Sequence, residues 1–208
     1  MNKGLTKSVL IQNKVLTPRG EIFSSPEEAA AWNTFPCVVK PCSGGSSVGI
    51  TIVETQQDFK ESVKEAFSYG ETEIVVEQYV KGREFSVGVL GGKALPPIEI
   101  IPKEGFYDYK TKYQAGAAIG VCPADITPEQ DGIMRSAAEK TYEALHLESY
   151  ARVDFILDGD NNAYCLEANA LPGMTPTSLL PQEAAVEGIG YADLCERIIE
   201  NSLQKYNR

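Results

Sequence analysis

The sequence predicts an α+β protein built as two α+β lobes. Two observations carry that reading. Up to residue 82, segments with apolar residues at helical spacing alternate with short β-branched runs. After Lys81-Gly82 the texture changes, and hairpin patterns separated by turn residues take over. The chain has 208 residues, 43% of them hydrophobic and 23% charged, which is the composition of a folded protein with a real core.

Residues 3–16 (KGLTKSVLIQNKVL) read as a helix stopped by Thr17-Pro18, because the residue before a proline disfavours helical backbone. SSPEEAAAW (24–32) opens a second helix, with Ser25 as cap, Pro26 at the first position and two glutamates in the first turn. PCVVK (36–40) is a short buried strand, and the Gly/Ser loop PCSGGSSVG (41–49) leads from it into the strand ITIV (50–53). Residues 55–70 form an amphipathic helix with Phe59, Val63 and Phe67 on one face and Gly70 as its stop. EIVVEQYV (73–80) completes a first lobe over 1–82. In the second lobe, 83–208, residues 83–102 read as a hairpin turning at Gly91-Gly92. Residues 103–125 read as a long ordered loop, a feature uncommon unless functional. Helix 128–147, a hairpin over 150–170 with a DGDNN turn, the Gly/Pro-rich loop LPGMTPTSLLP and a closing helix 191–206 follow.

The net charge of −10 excludes nucleic acid and anionic membranes as partners over most of the surface. No segment approaches the ~20 apolar residues of a membrane span. The five cysteines form no CxxC pair, as free thiols of a reducing compartment would, so the expectation is a soluble cytoplasmic protein. The single histidine, His146, lies at the end of a helical pattern and receives no catalytic role.

Two constellations carry chemistry. Alternate residues of a strand share a face, so Arg152 with Asp154, and Glu167 with Asn169, point together. If Leu157 pairs with Tyr164, Asp154 lies opposite Glu167 and Arg152 opposite Asn169, about 5 Å apart. A slip of one residue breaks this. Two facing carboxylates repel unless a cation sits between them, and carboxylate and amide oxygens suit Mg²⁺. Arg152 offers a charged fork to a phosphate or acyl oxygen. The second constellation is SGGSSVG with Lys40 at its base: either a tight turn or a phosphate cradle of backbone N–H groups and hydroxyls. No Gly-Lys-Ser/Thr follows, so it is not a P-loop.

Over nearly its whole length the chain resembles the D-alanine–D-alanine ligases. The resemblance rests on VVKPCSGGSSVGI, VEQYVKGREFSV, FYDYKTKY, RVDF and LEANALPGMTPTSL, which occur in the family's order. It implies an ATP-grasp fold with ATP held between two lobes. It also implies a ligase that joins two D-alanines for peptidoglycan through an acyl phosphate, using ATP and two Mg²⁺ ions, with Mn²⁺ an acceptable substitute. By motif position, Lys3 and Lys40 reach the nucleotide phosphates, and Ser46 and Ser47 are the glycine-loop serines. Glu77, Gln78 and Val80 contact adenine, Glu84 the ribose, and Phe106, Tyr107 and Leu166 pack near the nucleotide. Lys112 and Tyr113 belong to a closing loop, and a Tyr at position 113 goes with an amine nucleophile. Asp154, Glu167 and Asn169 are the magnesium ligands. Arg152 and the Gly173 amide stabilise the tetrahedral intermediate, and Ser178 and Leu179 hold the second D-alanine's carboxylate.

The family has a further N-terminal domain that this sequence does not contain, and its complete members are usually homodimers. The expectation is therefore a chain that binds Mg·ATP weakly and makes little or no dipeptide. The alternatives are another ATP-grasp carboxylate–amine ligase and a non-catalytic nucleotide-binding module.

Overall fold

A computed structural model describes residues 2–43, 48–102, 118–204 and 206. Ser46, Ser47, Phe106, Tyr107, Lys112 and Tyr113 lie outside the described residues. The described chain divides into two compact units, one of residues 2–8 and 18–81, the other of 9–17, 82–102 and 118–206. Residues 9–17 group with the second unit because Leu10 and Val15 are buried in its core.

The chain opens with helix α1 (Lys3–Gln12). Asn2 caps it, its Oδ1 accepting from the Leu5 N–H at 2.9 Å. The helix ends short of residue 16 because Lys14 turns left-handed (φ 56°). The amides of Lys14 and Val15 then bond back to Ile11 and Leu10, a Schellman-type stop. In the first unit follow β1 (Gly20–Phe23), α2 (Pro26–Ala29), β2 (Cys37–Pro41), β3 (Thr51–Val53), α3 (Gln56–Ser68) and β4 (Ile74–Gln78). The four strands form one sheet in the order β1-β4-β2-β3, every neighbouring pair antiparallel. Strand β1 was not expected from sequence: its four residues are too few and too polar to show alternation. Gly20 admits it to the sheet, since a Cβ there would lie 2.5 Å from the Val76 carbonyl oxygen. Helix α2 is a single turn, although Ser25 caps it as expected and accepts from the Glu28 N–H. Phe23, Trp32, Phe59, Val63, Ile74 and Val76 fill the core.

The second unit contains β5 (Arg83–Leu90), β6 (Lys93–Ala94), β7 (Ile98–Pro102), β8 (Ala118–Val121), α4 (Pro128–Ala144), β9 (Tyr150–Leu157), β10 (Ala163–Asn169), α5 (Leu179–Val186) and α6 (Tyr191–Gln204). The sheet order is β10-β9-β5-β7-β8, with β6 paired to β5. Two sequence expectations change here. The loop reading of 103–125 gives way to strand over Ala118–Val121, and the Gly/Pro-rich loop ends where α5 begins at Leu179. Four residues of AIGV are too short to signal a strand, and α5 buries Glu183 along with Leu180 and Ala184, so it lacks a clean amphipathic stripe. Helix α4 carries a capping box between Thr127 and Gln130 and covers one sheet face, where Met134 and Ala138 meet Val87, Val89, Val153 and Phe155. Helix α5 covers the other face at Gly88, whose absent Cβ leaves room for Leu180 and Glu183.

Candidate functional site

In the first unit the chemistry gathers around a buried carboxylate. Lys40 stands near the end of β2, and the Gly/Ser loop joins β2 to its hairpin partner β3. Its ammonium donates to Glu77 Oε2. The other oxygen, Oε1, is 2.9 Å from the ammonium of Lys7, which also donates to the Pro18 carbonyl at 2.6 Å. All three side chains are buried, with Glu77 only 4% exposed. Burial by itself raises a carboxyl pKa; here the Lys40 and Lys7 charges outweigh it and hold Glu77 below the ordinary glutamate range. The Glu77 carboxylate thus holds both lysines. Lys3 lies beside the same loop entrance, its backbone N–H bonded to the Cys42 carbonyl and its ammonium 3.5 Å from that of Ser43. Gln78 is exposed and Val80 half-buried at the end of β4.

In the second unit the carboxylate hairpin forms a patterned face. Strand β9 pairs with β10 as Asp154↔Glu167 and Arg152↔Asn169, and with β5 as Asp154↔Ser86 and Arg152↔Gly88. Two rows therefore cross the three strands, Ser86–Asp154–Glu167 and Gly88–Arg152–Asn169. The register arises differently from the simple hairpin. Leu157 pairs with Ala163, not Tyr164, and a bulge between Cys165 and Glu167 inserts Leu166 as an extra residue. Were the ladder regular, with Leu166 paired to Asp154, the side chain of Glu167 would share the core face of Cys165.

The cation beside Asp154 is Arg152 itself. Arg152 grips the carboxylate with both arms, Nε to Oδ1 at 2.9 Å and Nη2 to Oδ2 at 2.8 Å, and Ser86 Oγ donates to Oδ1 at 2.9 Å. Asp154 keeps 9% exposure while Ser86 is fully buried, so the aspartate is fixed in one orientation. Asn169 Oδ1 accepts from the Leu171 N–H at 3.0 Å, and Glu167 and Leu166 are half-buried. Glu84 is half-buried on the same face of β5. Among the described residues no group of three or more His, Cys, Asp or Glu side chains is gathered as for a metal ion. The oxygen set of Asp154, Glu167 and Asn169, two carboxylates and an amide, nevertheless has the hardness that Mg²⁺ requires.

Ser178 stands at the N-cap of α5, and Leu179 opens the helix. The Ser178 hydroxyl accepts from the Thr175 N–H at 3.0 Å, and the exposed Gly173 packs so near it that a Cβ would come within 3.0 Å. Sequence reasoning missed three buried groups: Lys7, Ser86 and Glu183. Ser86 was detectable as the polar member between Phe85 and Val87. Lys7 lies in the first helix with no local pattern to mark it for burial. Glu183 lies in a segment taken to follow a loop. Its carboxyl is fully buried, neither oxygen meets hydrogen-bond geometry with any described group, and one oxygen presses against Gly88 beside Arg152.

Two α+β units, one with buried lysines at the base of a glycine-rich hairpin and one with an arginine–carboxylate face, define an ATP-grasp protein. The family model "D-ala D-ala ligase C-terminus" matches residues 9–200. D-Alanine–D-alanine ligases from Pediococcus pentosaceus and Geotalea uraniireducens are 42% and 41% identical to the whole chain. The match covers 59% of the first relative and 68% of the second. The Bacillus anthracis ligase complexed with ATP superposes with a TM-score of 0.81 at 31% identity, covering 98% of this chain and 66% of that one. The VanG D-Ala:D-Ser ligase from Enterococcus faecalis gives 0.85 at 28% identity over 96% of this chain and 61% of its own. The chain belongs to the D-alanine–D-alanine ligase family, and it spans about 59% of the length of the first of these relatives.

Proposed function

We propose that this chain carries the ATP-binding and divalent-metal-binding part of a D-alanine–D-alanine ligase that serves peptidoglycan synthesis in the cytoplasm. The observation that carries the reading is the pair of rows Ser86–Asp154–Glu167 and Gly88–Arg152–Asn169. Asp154, Glu167 and Asn169 would hold Mg²⁺ (two ions, with Mn²⁺ an alternative), which when bound supplies charge neutralisation for a phosphoryl group. Ser86 and Arg152 orient the Asp154 carboxylate towards that task. Arg152, with its fork on the same face, provides the donor for the oxyanion formed when an amine attacks an acyl group, together with the Gly173 amide. Lys40 and Lys3, with Ser46, receive the ATP phosphates, and Ser47 serves the substrate side. Ser178 and Leu179, at the start of α5, take an amino-acid carboxylate, and Lys112 and Tyr113 close over the nucleotide.

Calorimetric titration of the purified chain with ATP, with and without Mg²⁺, tests the reading. We expect weak binding that Mg²⁺ strengthens, and loss of the Mg²⁺ increment in Asp154→Asn and Glu167→Gln. No ATP binding at millimolar concentration, or an increment that survives both substitutions, would overturn it. The chain by itself is expected to release little phosphate in response to D-alanine. The D-Ala:D-Ser ligase among its structural neighbours makes D-serine the second amine to include in a substrate panel on a complete relative carrying this segment.

A further inference from the structure

We propose that Lys7 is a positioning residue for the phosphate-facing Lys40, acting through Glu77; the inference rests on the nucleotide reading above.

The geometry gives each of the three groups a distinct task. Glu77 presents one carboxylate oxygen to Lys40 and the other to Lys7. Lys7 is anchored at a second point by the Pro18 carbonyl, 2.6 Å away. Its ammonium therefore has two fixed acceptors on different segments, the end of β4 and the approach to β1. The carboxylate plane is set by that anchorage, and the direction of Oε2 determines where the Lys40 ammonium rests. Lys40 leads, within three residues, into the Gly/Ser segment that follows β2. Neutralisation matters as much as direction. A buried carboxylate with a single cationic partner pairs tightly with it, whereas one shared between two lysines holds each less strongly. Lys7 thereby leaves Lys40 ion-pairing capacity to spend on a phosphate.

If Lys7 becomes methionine, its stem is kept and its charge is lost. Glu77 then turns both oxygens to Lys40 and draws the ammonium inward. Ligands with phosphates should suffer and those without should not. The test compares binding of ATP, inorganic tripolyphosphate and adenosine to the full chain by calorimetry, alongside thermal melts.

We expect Lys7→Met to weaken ATP and tripolyphosphate roughly tenfold, about 1.4 kcal/mol of binding, with adenosine changed less than about twofold. Lys7→Arg, which keeps the cation, should recover most of the ATP affinity. Equal weakening of all three probes, or unchanged ATP binding, would overturn the proposal and leave Lys7 a structural residue. Should Lys7→Met fail to fold, Lys7→Gln retains donors without the charge and must show the same phosphate selectivity. If the unaltered chain binds neither ATP nor adenosine, the nucleotide reading itself falls, and this inference with it.

Discussion

Glu183 is the residue whose energetics run against the fold. Burial raises its carboxyl well above the usual glutamate range. Asp154 adds to the rise, and the Gly88 amide, Arg152 and Arg135 do not offset it. The proton is thus retained in the folded chain and given up in the unfolded one once the pH passes about 4.3, the ordinary glutamate value. Below that pH both states are protonated and Glu183 costs nothing by linkage. Above it, stability falls as pH rises towards the folded value. Glu183→Met removes the buried carboxyl and suits its neighbours Leu180, Ala184 and Leu95. It should stabilise the chain by about 1–3 kcal/mol at pH 8, the usual cost of a buried unsatisfied polar group. The gain should shrink at pH 5. Denaturant melts at the two pH values check this, and a gain equal at both would refute the linkage.

At the scale of the element, the bulge at Leu166 decides what the β9–β10 hairpin can do. It lets Cys165 pair with Phe155 in the core while Glu167 faces Asp154 on the opposite side. Deleting Leu166 removes the extra residue, so Glu167 follows Cys165 directly and stays opposite Asp154 in a regular ladder. We expect the deletion to leave a folded chain that loses no more stability than Leu166→Ala, which keeps the bulge and trims its side chain. Chemical denaturation of the two variants checks this. A deletion that costs roughly 3–5 kcal/mol, the size of an uncompensated buried charge, would show that Glu167 has left its place opposite Asp154.

For the whole molecule, the two units should respond to acid in opposite ways. Glu77, held low by Lys40 and Lys7, contributes stability that is present above the ordinary glutamate value and lost as pH falls through the folded one. Protonation then leaves two buried lysines without their shared carboxylate. Glu183, in the second unit, is relieved above that range, as pH falls towards the ordinary glutamate value. The only tryptophan, Trp32, is buried in the first unit's core and reports on that unit alone. On acidification its emission should shift to the red before the far-UV circular dichroism falls. Coincident transitions at every pH would instead mean that the units unfold as one.

Much of the fold was legible because local rules act within a few residues. The cap at Ser25 and the helices α3, α4 and α6 follow from side-chain capping and periodicity. The Gly91-Gly92 turn, both glycines at positive φ, follows from the freedom of a residue without Cβ. The Asp154/Glu167 and Arg152/Asn169 pairs were legible as chemistry, since their residue types and alternate spacing state what they can bind. The sequence by itself determined the α+β class, the charged residues of the hairpin and the motifs of the ligase family. Only the tertiary structure decided the bulge that makes those carboxylates face each other. It alone set Lys7 against Glu77, 70 positions apart in the chain, and Glu183 against Gly88. The physical reason is common to all of these: burial and cross-strand register are set by distant segments meeting, and no local pattern encodes which partner a buried charge will find.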